Sequence, residues 1–342
     1  MKKYFAGSLI TGSEITDFFI MRSLAVRVGT NQRQYIDMTL GDKSGEVSAK
    51  KWNATEEDIN EIKSYGENPI IKIRGSVTEW NGKQQLKVTR FRIAREDDNL
   101  DMNDFVKTAP FPGKEMYDEI MSYVDEITDD ELKTIARAVM ERNHEKLLYY
   151  PAASKNHHAQ MSGLLYHMKR MLLMGVKACE VYTELDKDWV ITGVIIHDIE
   201  KINEIISNKW GVSPGYSVEG QLLGHIVQGV CMIDKLAEEF GTSREKAVML
   251  EHMILSHHYE PEFGSPKRPM FAEAELLHHL DNLDAKLFDF EEKLEVVPPG
   301  EFTDRIWTLD NRKLYKPTFK KPTEDPSDDK DEPKFKGPFT IK

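Results

Sequence analysis

Cysteine is almost missing from this chain of 342 residues: Cys179 and Cys231 are the only two, both in helix-like contexts and without CxxC spacing. A disulfide framework and a thiolate zinc site are thereby excluded. Long apolar runs are missing too, since each apolar stretch is short and broken by charge, so no membrane partner is expected. The first residues, "MKKYFAGSLITGSEITDFF", have neither the apolar core nor the small-residue cleavage site of a signal peptide, which makes the cytoplasm the expected compartment. Positive charge is in deficit overall: the formal net charge of −12 argues against a molecule that coats nucleic acid with its whole surface. No internal repeat is visible. What a hydrophobic content of 40% does permit is a substantial core, in two domains or in one with appendages.

The charge is uneven. Between residues 70 and 95 stand seven basic side chains, Lys72, Arg74, Lys83, Lys87, Arg90, Arg92 and Arg95, against the single acid Glu79. From about residue 15 to 95 the pattern has the period of two expected of strands, in "FFIMRSLAVRV", "RQYIDMTLGDKSGEVSAKKW" and "PIIKIRGSVTEWNGKQQLKVTRFRI". "GDKSGE" and "WNGKQ" read as hairpin turns, the second with the Asn-Gly pair that favours type I′. "NATEEDINEIKSYG" reads as one short helix, capped at its start and closed by glycine. Three strands, a helix and two strands match the order of a five-stranded OB-fold barrel. "YIDMTLGDKSGEVSAKKW" resembles the hairpin between the second and third strands of tRNA-anticodon-type OB domains. Such a barrel would hold a single strand by stacking and phosphate neutralisation; the candidates are Tyr35, Trp52, Trp80 and Phe91 with Lys72, Arg74, Lys87 and Arg90. About half of these aromatics should face the barrel core, because inward and outward positions alternate.

Residues 96–112 are polar and punctuated by proline, and read as a linker. Beyond them the periodicity is helical, with candidate helices at 113–125, 129–146, 157–180, 187–207, 218–240, 243–257 and 272–291. Residues 317–342, rich in proline and charge, cannot bury apolar area and read as a disordered tail. Eleven histidines occur, and they fall between residues 144 and 279, while the β region has none. His167, the pair His197-Asp198, His225, the pair His257-His258 and Asp281 stand on five separate candidate helices. Imidazole and carboxylate are the ligands of borderline and hard divalent metals, and a catalytic site needs them to converge from several elements. Lys201, one turn beyond His197 and three residues beyond Asp198, can point to the same focus and bind a substrate phosphate. Lys155, His157 and His158 could touch the substrate, or cap a helix and face solvent. His144, His252, His278 and His279 are weaker candidates, His278 as a support to a ligand.

These residues resemble the HD superfamily of metal-dependent phosphohydrolases, whose pattern is an isolated histidine, a later His-Asp pair and a distant aspartate. The resemblance covers about residues 150–290 and implies that His167, His197, Asp198 and Asp281 bind a first metal and that His225, His257 and His258 help to hold a second. "HDIEK" matches the His-Asp-x-x-Lys form, except that Glu200 stands where that family commonly carries glycine. With an OB fold in front, the chain to about residue 316 resembles the YhaM family of 3′→5′ exoribonucleases, including "PAASKNHHAQMSGLLYHM". The expected architecture is therefore a multidomain α+β chain: an OB-fold barrel at 1–95, a linker at 96–112, an all-α HD domain at 113–316 and the tail at 317–342.

The activity this implies is hydrolysis of single-stranded RNA, and of DNA as a second substrate, from the 3′ end to nucleoside 5′-monophosphates. Two divalent ions, manganese on resemblance, would lower the pKa of a water and clamp the phosphoryl oxygens, with Asp198 and Lys201 in the catalytic roles. Two other readings stand beside it: HD chemistry on free or cyclic nucleotides, and a non-catalytic single-strand-binding protein. The basic stretch at 70–95 favours the first reading over the second, and the complete set of seven ligands disfavours the third. Assembly into a ring or dimer that restricts access to single strands is a further expectation.

Overall fold

The computed structural model of the chain describes residues 2–29, 32–66, 68–153, 160–208, 211, 213 and 215–319. It divides into two compact units, Met1–Phe288 and Asp289–Lys342.

The first unit begins with a closed barrel of β1 (Glu14–Val28), β2 (Gln34–Asp42), β3 (Gly45–Lys51), β4 (Ile70–Trp80) and β5 (Lys83–Ile93), joined in the order β1-β2-β3-β5-β4 with β4 returning to β1. All pairings are antiparallel except β3 with β5. The alternation read from the sequence sets the inside: Ile36, Met38 and Leu40 of β2, Val47 and Ala49 of β3, Ile71, Ile73 and Val77 of β4, and Leu86 and Val88 of β5 are buried together. The β4–β5 turn places Asn81 and Gly82 at φ 52° and 74°, the positive values that an Asn-Gly type I′ turn requires. Between β3 and β4 lies α1 (Glu56–Lys63), opened by a capping box in which Thr55 and Asp58 bond each other's backbone N–H; its Ile59 and Ile62 pack on the barrel core. Residues 96–112 connect barrel and helices and are themselves packed, with Phe105 and Val106 buried against Ile20 and Ile70.

The helices that follow are α2 (Gly113–Glu126), α3 (Asp130–Arg142), α4 (His144–Leu147), α5 (Gly163–Val181), α6 (Lys187–Ile196), α7 (Lys201–Glu204), α8 (Val218–Phe240), α9 (Arg244–Ser256) and α10 (Ala272–Glu295), with a two-residue ladder of β6 (Ile205–Ile206) and β7 (Gly215–Tyr216) before α8. Residues 190–196 of α6 are buried without exception, so this helix is the centre of the bundle and has no polar face.

Three of the expected helices are shorter or divided. The stretch 129–146 breaks at Asn143, and the helix expected from 157 begins at Gly163, after Ser162 at φ 60°. The stretch 187–207 does not run through as one helix. After Ile196 the bonds tighten to three residues, from Ile199 N–H to the Ile196 carbonyl and from Lys201 N–H to the Asp198 carbonyl, and the chain then leaves the helix at Ile205. The Tyr150 hydroxyl, buried among the carbonyls of Ile202 and Ile205 at 2.8 and 2.5 Å, takes up backbone acceptors that a continuing helix would have used. The His-Asp pair thus sits where the central helix changes its geometry.

In the second unit, residues 296–319 after the end of α10 form a small hairpin bridged at Phe302–Tyr315 and Ile306–Arg312, with Leu309 and Leu314 buried. Residues 320–342, most of the segment read as a tail, lie outside the described residues. Among the described residues no helix is long and apolar enough to cross a membrane.

Candidate metal centre

Among the described residues five imidazoles converge on Asp198, and each is oriented from behind through Nδ1. His197 donates to the Val194 carbonyl (2.9 Å), His257 to the Ile254 carbonyl (2.7 Å) and His258 to the Phe263 carbonyl (2.6 Å). His167 bonds Asp284 (2.7 Å) and His225 bonds Glu204 (2.8 Å). A carbonyl or carboxylate can only accept, so each Nδ1 carries a proton and Nε2 is the atom turned inward, the one that metal-ligating histidines held in this way offer.

Among the described residues two groups of ligand atoms result. One atom from each of His167, His197, Asp198 and Asp281 lies within 4.8 Å of the others, and the same holds for Asp198, His225, His257 and His258. Asp198 belongs to both, and its two oxygens divide the work. Oδ2 stands 3.3 Å from His197 Nε2 and 3.8 Å from His167 Nε2; Oδ1 stands 3.3 Å from His225 Nε2 and 3.6 Å from His257 Nε2. Donors that share an ion at about 2.1 Å lie about 3 Å apart at right angles and about 4 Å apart when opposed. The Nε2 atoms of His197, His225 and His257 and Asp198 Oδ1 are buried and have no hydrogen-bond partner. Buried polar atoms left this way are rare and costly unless something binds them. A set of imidazole nitrogens and carboxylate oxygens aimed at shared points fits divalent cations.

Electrostatics reinforce this. Burial alone would raise the Asp198 carboxyl, but Lys201 and His197 beside it hold it well below the usual carboxylate range. Burial likewise opposes ionisation of Asp281, and its contact with His167 overcomes it in the same direction. Burial would lower His167, yet Asp281 and Asp284 push it up to about 9, while burial and the neighbouring His257 bring His258 down to about 4. Lys201, desolvated but facing Asp198 and Asp281, is held above the ordinary lysine range, with its ammonium 2.5 Å from Asp198 Oδ2.

Several supporting residues were missed in the sequence. Asp284, fully buried, ties His167 to Arg170, whose Nε lies 2.6 Å from it. It stands one helical turn beyond Asp281, a spacing that could have flagged it. Glu204 orients His225 and stands one turn beyond Lys201. His278, a weak candidate, donates Nδ1–H to the His257 carbonyl (2.7 Å) and so links α10 to the end of α9. Glu200 has φ −72°, a value any residue adopts, and its carboxylate accepts from the Asn203 amide. The weaker candidates His144, His252 and His279 are engaged elsewhere, against Tyr117, the Met270 N–H and Glu275. Lys155, His157 and His158 lie outside the described residues.

On the barrel the aromatic candidates separate. Tyr35 and Trp52 have ring centroids 4.5 Å apart, with Lys50 Nζ 5.3 and 5.5 Å from them, and Trp52 is 43% exposed. Trp80, at the tip of the β4–β5 hairpin, is 68% exposed. Phe91 is turned the other way, packed on the barrel core and edge-on to Tyr65, so its ring is not free to stack. Arg74 and Arg90 face each other across the β4–β5 ladder, Lys87 is exposed, and Lys72 lies over Phe18 at 4.9 Å.

Comparison with known proteins agrees with both halves. Residues 164–286 match the HD domain, and residues 22–94 match the OB-fold nucleic acid binding domain. The HD match and the His/Asp groups together make this a divalent-metal-dependent domain. The 3′-5′ exoribonuclease YhaM of Bacillus licheniformis is 41% identical over 91% of this chain and 97% of its own length. Its counterpart in Bacillus subtilis is 40% identical over the same shares, and that of Geobacillus sp. is 40% identical over 90% of this chain and 93% of its own. With an OB barrel, an HD centre and relatives matched over nearly their whole length, the chain belongs to the YhaM family of 3′-5′ exoribonucleases.

Proposed function

We propose that this chain is a 3′→5′ exoribonuclease that removes nucleoside 5′-monophosphates from single-stranded RNA, using two divalent ions, with manganese the preferred metal. The observation that carries the reading is Asp198, whose Oδ2 faces His197 Nε2 and whose Oδ1 faces the Nε2 atoms of His225 and His257, three buried nitrogens with no hydrogen-bond partner. His167, His197, Asp198 and Asp281 would hold the first ion, and Asp198, His225, His257 and His258 the second. When bound, the ions supply an activated water and neutralisation of phosphoryl charge. The chain's own part is to fix the ligands through their Nδ1 partners and to keep Asp198 ionised. Lys201 adds a positive charge beside the carboxylate where the phosphoryl oxygens gain charge.

The barrel is the strand-holding module of this reading. Tyr35 and Trp52 form a stacking platform under Lys50, Trp80 a second contact, and Lys72, Arg74, Lys87 and Arg90 neutralise phosphates. DNA is a second substrate on the same stacking logic, the setting is the cytoplasm, and a homo-oligomer is the assembly that would restrict access to single strands. Replacing Tyr35 and Trp52 together by Ala is expected to raise KM for a 20-nucleotide RNA by roughly thirtyfold, from about 2 kcal/mol of lost stacking. Turnover at saturation should stay unchanged, since neither ring is a member of the metal groups. Steady-state kinetics on RNA of two lengths checks this.

The test of the activity is metal-stripped protein incubated with 5′-labelled RNA carrying a 3′ overhang, with and without Mn²⁺. A ladder shortening from the 3′ end only when Mn²⁺ is present, with 5′-monophosphates released, is the expected result. Strand binding without a ladder would shift the function to a binding protein or to a small-nucleotide substrate.

A further inference from the structure

One ligand of the second group stands on a backbone of a different kind from the rest. His167 and Asp281 lie inside the regular helices α5 and α10, and His197 caps α6 with helical φ and ψ. His225 does not share this security. The residue before it, Gly224, has φ 69° and ψ 165° in the middle of α8, a conformation that glycine alone adopts readily. A side chain at position 224 would meet nothing closer than Glu204 Oε1 at 3.7 Å, so glycine is needed for its backbone and not for space.

The break solves a geometric conflict. The first turn of α8 is strapped to the end of α7: Ser217 N–H donates to the Glu204 carbonyl (2.9 Å), Ser217 Oγ donates to the Asn203 carbonyl (2.7 Å), and a Cβ on Gly220 would fall 2.3 Å from the Glu204 carbonyl oxygen. Gly220 therefore faces Glu204. His225 faces Glu204 as well, through the 2.8 Å bond from Nδ1. Five residues apart on one regular helix, positions 220 and 225 would point about 140° away from each other. Only with the chain re-aimed at Gly224 do both meet the same glutamate, and only then does His225 Nε2 reach 3.3 Å from Asp198 Oδ1.

We propose that Gly224 and Glu204 are positioning residues that make the second metal position, and not the first, depend on this backbone break. The inference rests on the two-ion reading above. It predicts that the second position can be lost on its own, leaving a chain with one ion.

The experiment counts ions in the full chain after metal stripping, by calorimetric titration with Mn²⁺ and by electron paramagnetic resonance of the bound ions. Wild type is expected to take up two. Gly224→Ala is expected to take up one, with wild-type affinity for it. Gly224→Asn is expected to behave like Gly224→Ala, since Asn tolerates left-handed φ near ψ +45° but not ψ 165°; rescue by Asn would mean that positive φ alone suffices. Glu204→Gln keeps volume and an acceptor for Nδ1–H but loses the charge, and should weaken the second binding step roughly tenfold while sparing the first. Far-ultraviolet circular dichroism and melting in chelator verify the fold, and if Gly224→Ala does not fold, Glu204→Gln decides. Two ions at wild-type affinity in Gly224→Ala, rescue by Asn, or an unchanged second step in Glu204→Gln would overturn the proposal. A wild-type chain that saturates at one ion would instead remove the two-ion reading itself, an outcome distinguishable because it appears without any substitution.

Discussion

Asp198→Asn is expected to empty both metal positions at once and to lower exonuclease turnover on the order of 10⁴-fold, since each ion supplies several kcal/mol of transition-state stabilisation and 1.36 kcal/mol is tenfold in rate. The reason lies in its two oxygens, one 3.3 Å from His197 Nε2 and the other 3.3 Å from His225 Nε2. An amide presents N–H to one of these directions and carries charge to neither. His167→Ala or His225→Ala, by contrast, each remove a ligand from one group only. The substitution also has a price in stability, because Lys201 would keep its buried ammonium without the carboxylate 2.5 Å away. Breaking a buried pair from one side destabilises by roughly 3–5 kcal/mol. Asp281 and Glu204 also face this ammonium, which places the loss at the lower end. A second change, Lys201→Met in the Asp198→Asn background, is expected to restore much of the stability and none of the activity. Denaturant titration in chelator and the RNA ladder assay read the two effects separately; more than a hundredth of wild-type turnover in Asp198→Asn with Mn²⁺ would contradict the bridging role.

What could be read from the sequence was what depends on local pattern. Period-two alternation and the Asn-Gly turn marked the barrel strands, and its closed order followed from three strands, a helix and two strands. The apolar run at 190–196 marked a buried helix ending in a polar cluster, and the ligand candidates from His167 to Asp281 do converge on one place. What could not be read depends on register and on partners far along the chain. Phe91 looks like Trp80 in the sequence, yet one faces the core and the other solvent, because a bulge between Arg74 and Gly75 shifts the β4–β5 register. Asp284 and Glu204 are ordinary surface-type acids on their own helices, and only the imidazoles brought to them from other helices give them a role. Gly224 sits inside a stretch that reads as helix on both sides, and the single turn of α8 before it is too short for a period of 3.6 to reveal that its residues face another way.

The stability of the chain without metal is expected to fall between pH 7 and 9, and saturating Mn²⁺ is expected to cancel that fall. His167, held between Asp281 and Asp284, has its pKa pushed up to about 9, against about 6.5 in an unfolded chain. A group whose folded pKa is raised contributes stability that is fully present below about pH 6.5 and is lost as pH rises through about 9; here that is about 3 kcal/mol. His258 acts in the opposite sense: with its pKa lowered to about 4, it favours the folded state above about pH 6.5 and withdraws that support as pH falls toward 4. Metal-free protein should therefore melt highest near pH 6.5. His167 Nε2 stands 3.3 Å from Asp281 Oδ1 within the first ligand group, so a proton and an ion compete for the same lone pair. Each pH unit between about 6.5 and 9 should then tighten Mn²⁺ at that position about tenfold, adding about 1.4 kcal/mol to the stabilisation by saturating metal. Scanning calorimetry at pH 6.5, 7.5 and 8.5, in chelator and in Mn²⁺, would show the two melting curves diverging as pH rises. Titrations in buffers of different ionisation enthalpy would show close to one proton released from this site per ion. A melting difference that is the same at all three pH values would mean that His167 carries no proton for the metal to displace, and that the carboxylates flanking it serve only to hold the ring.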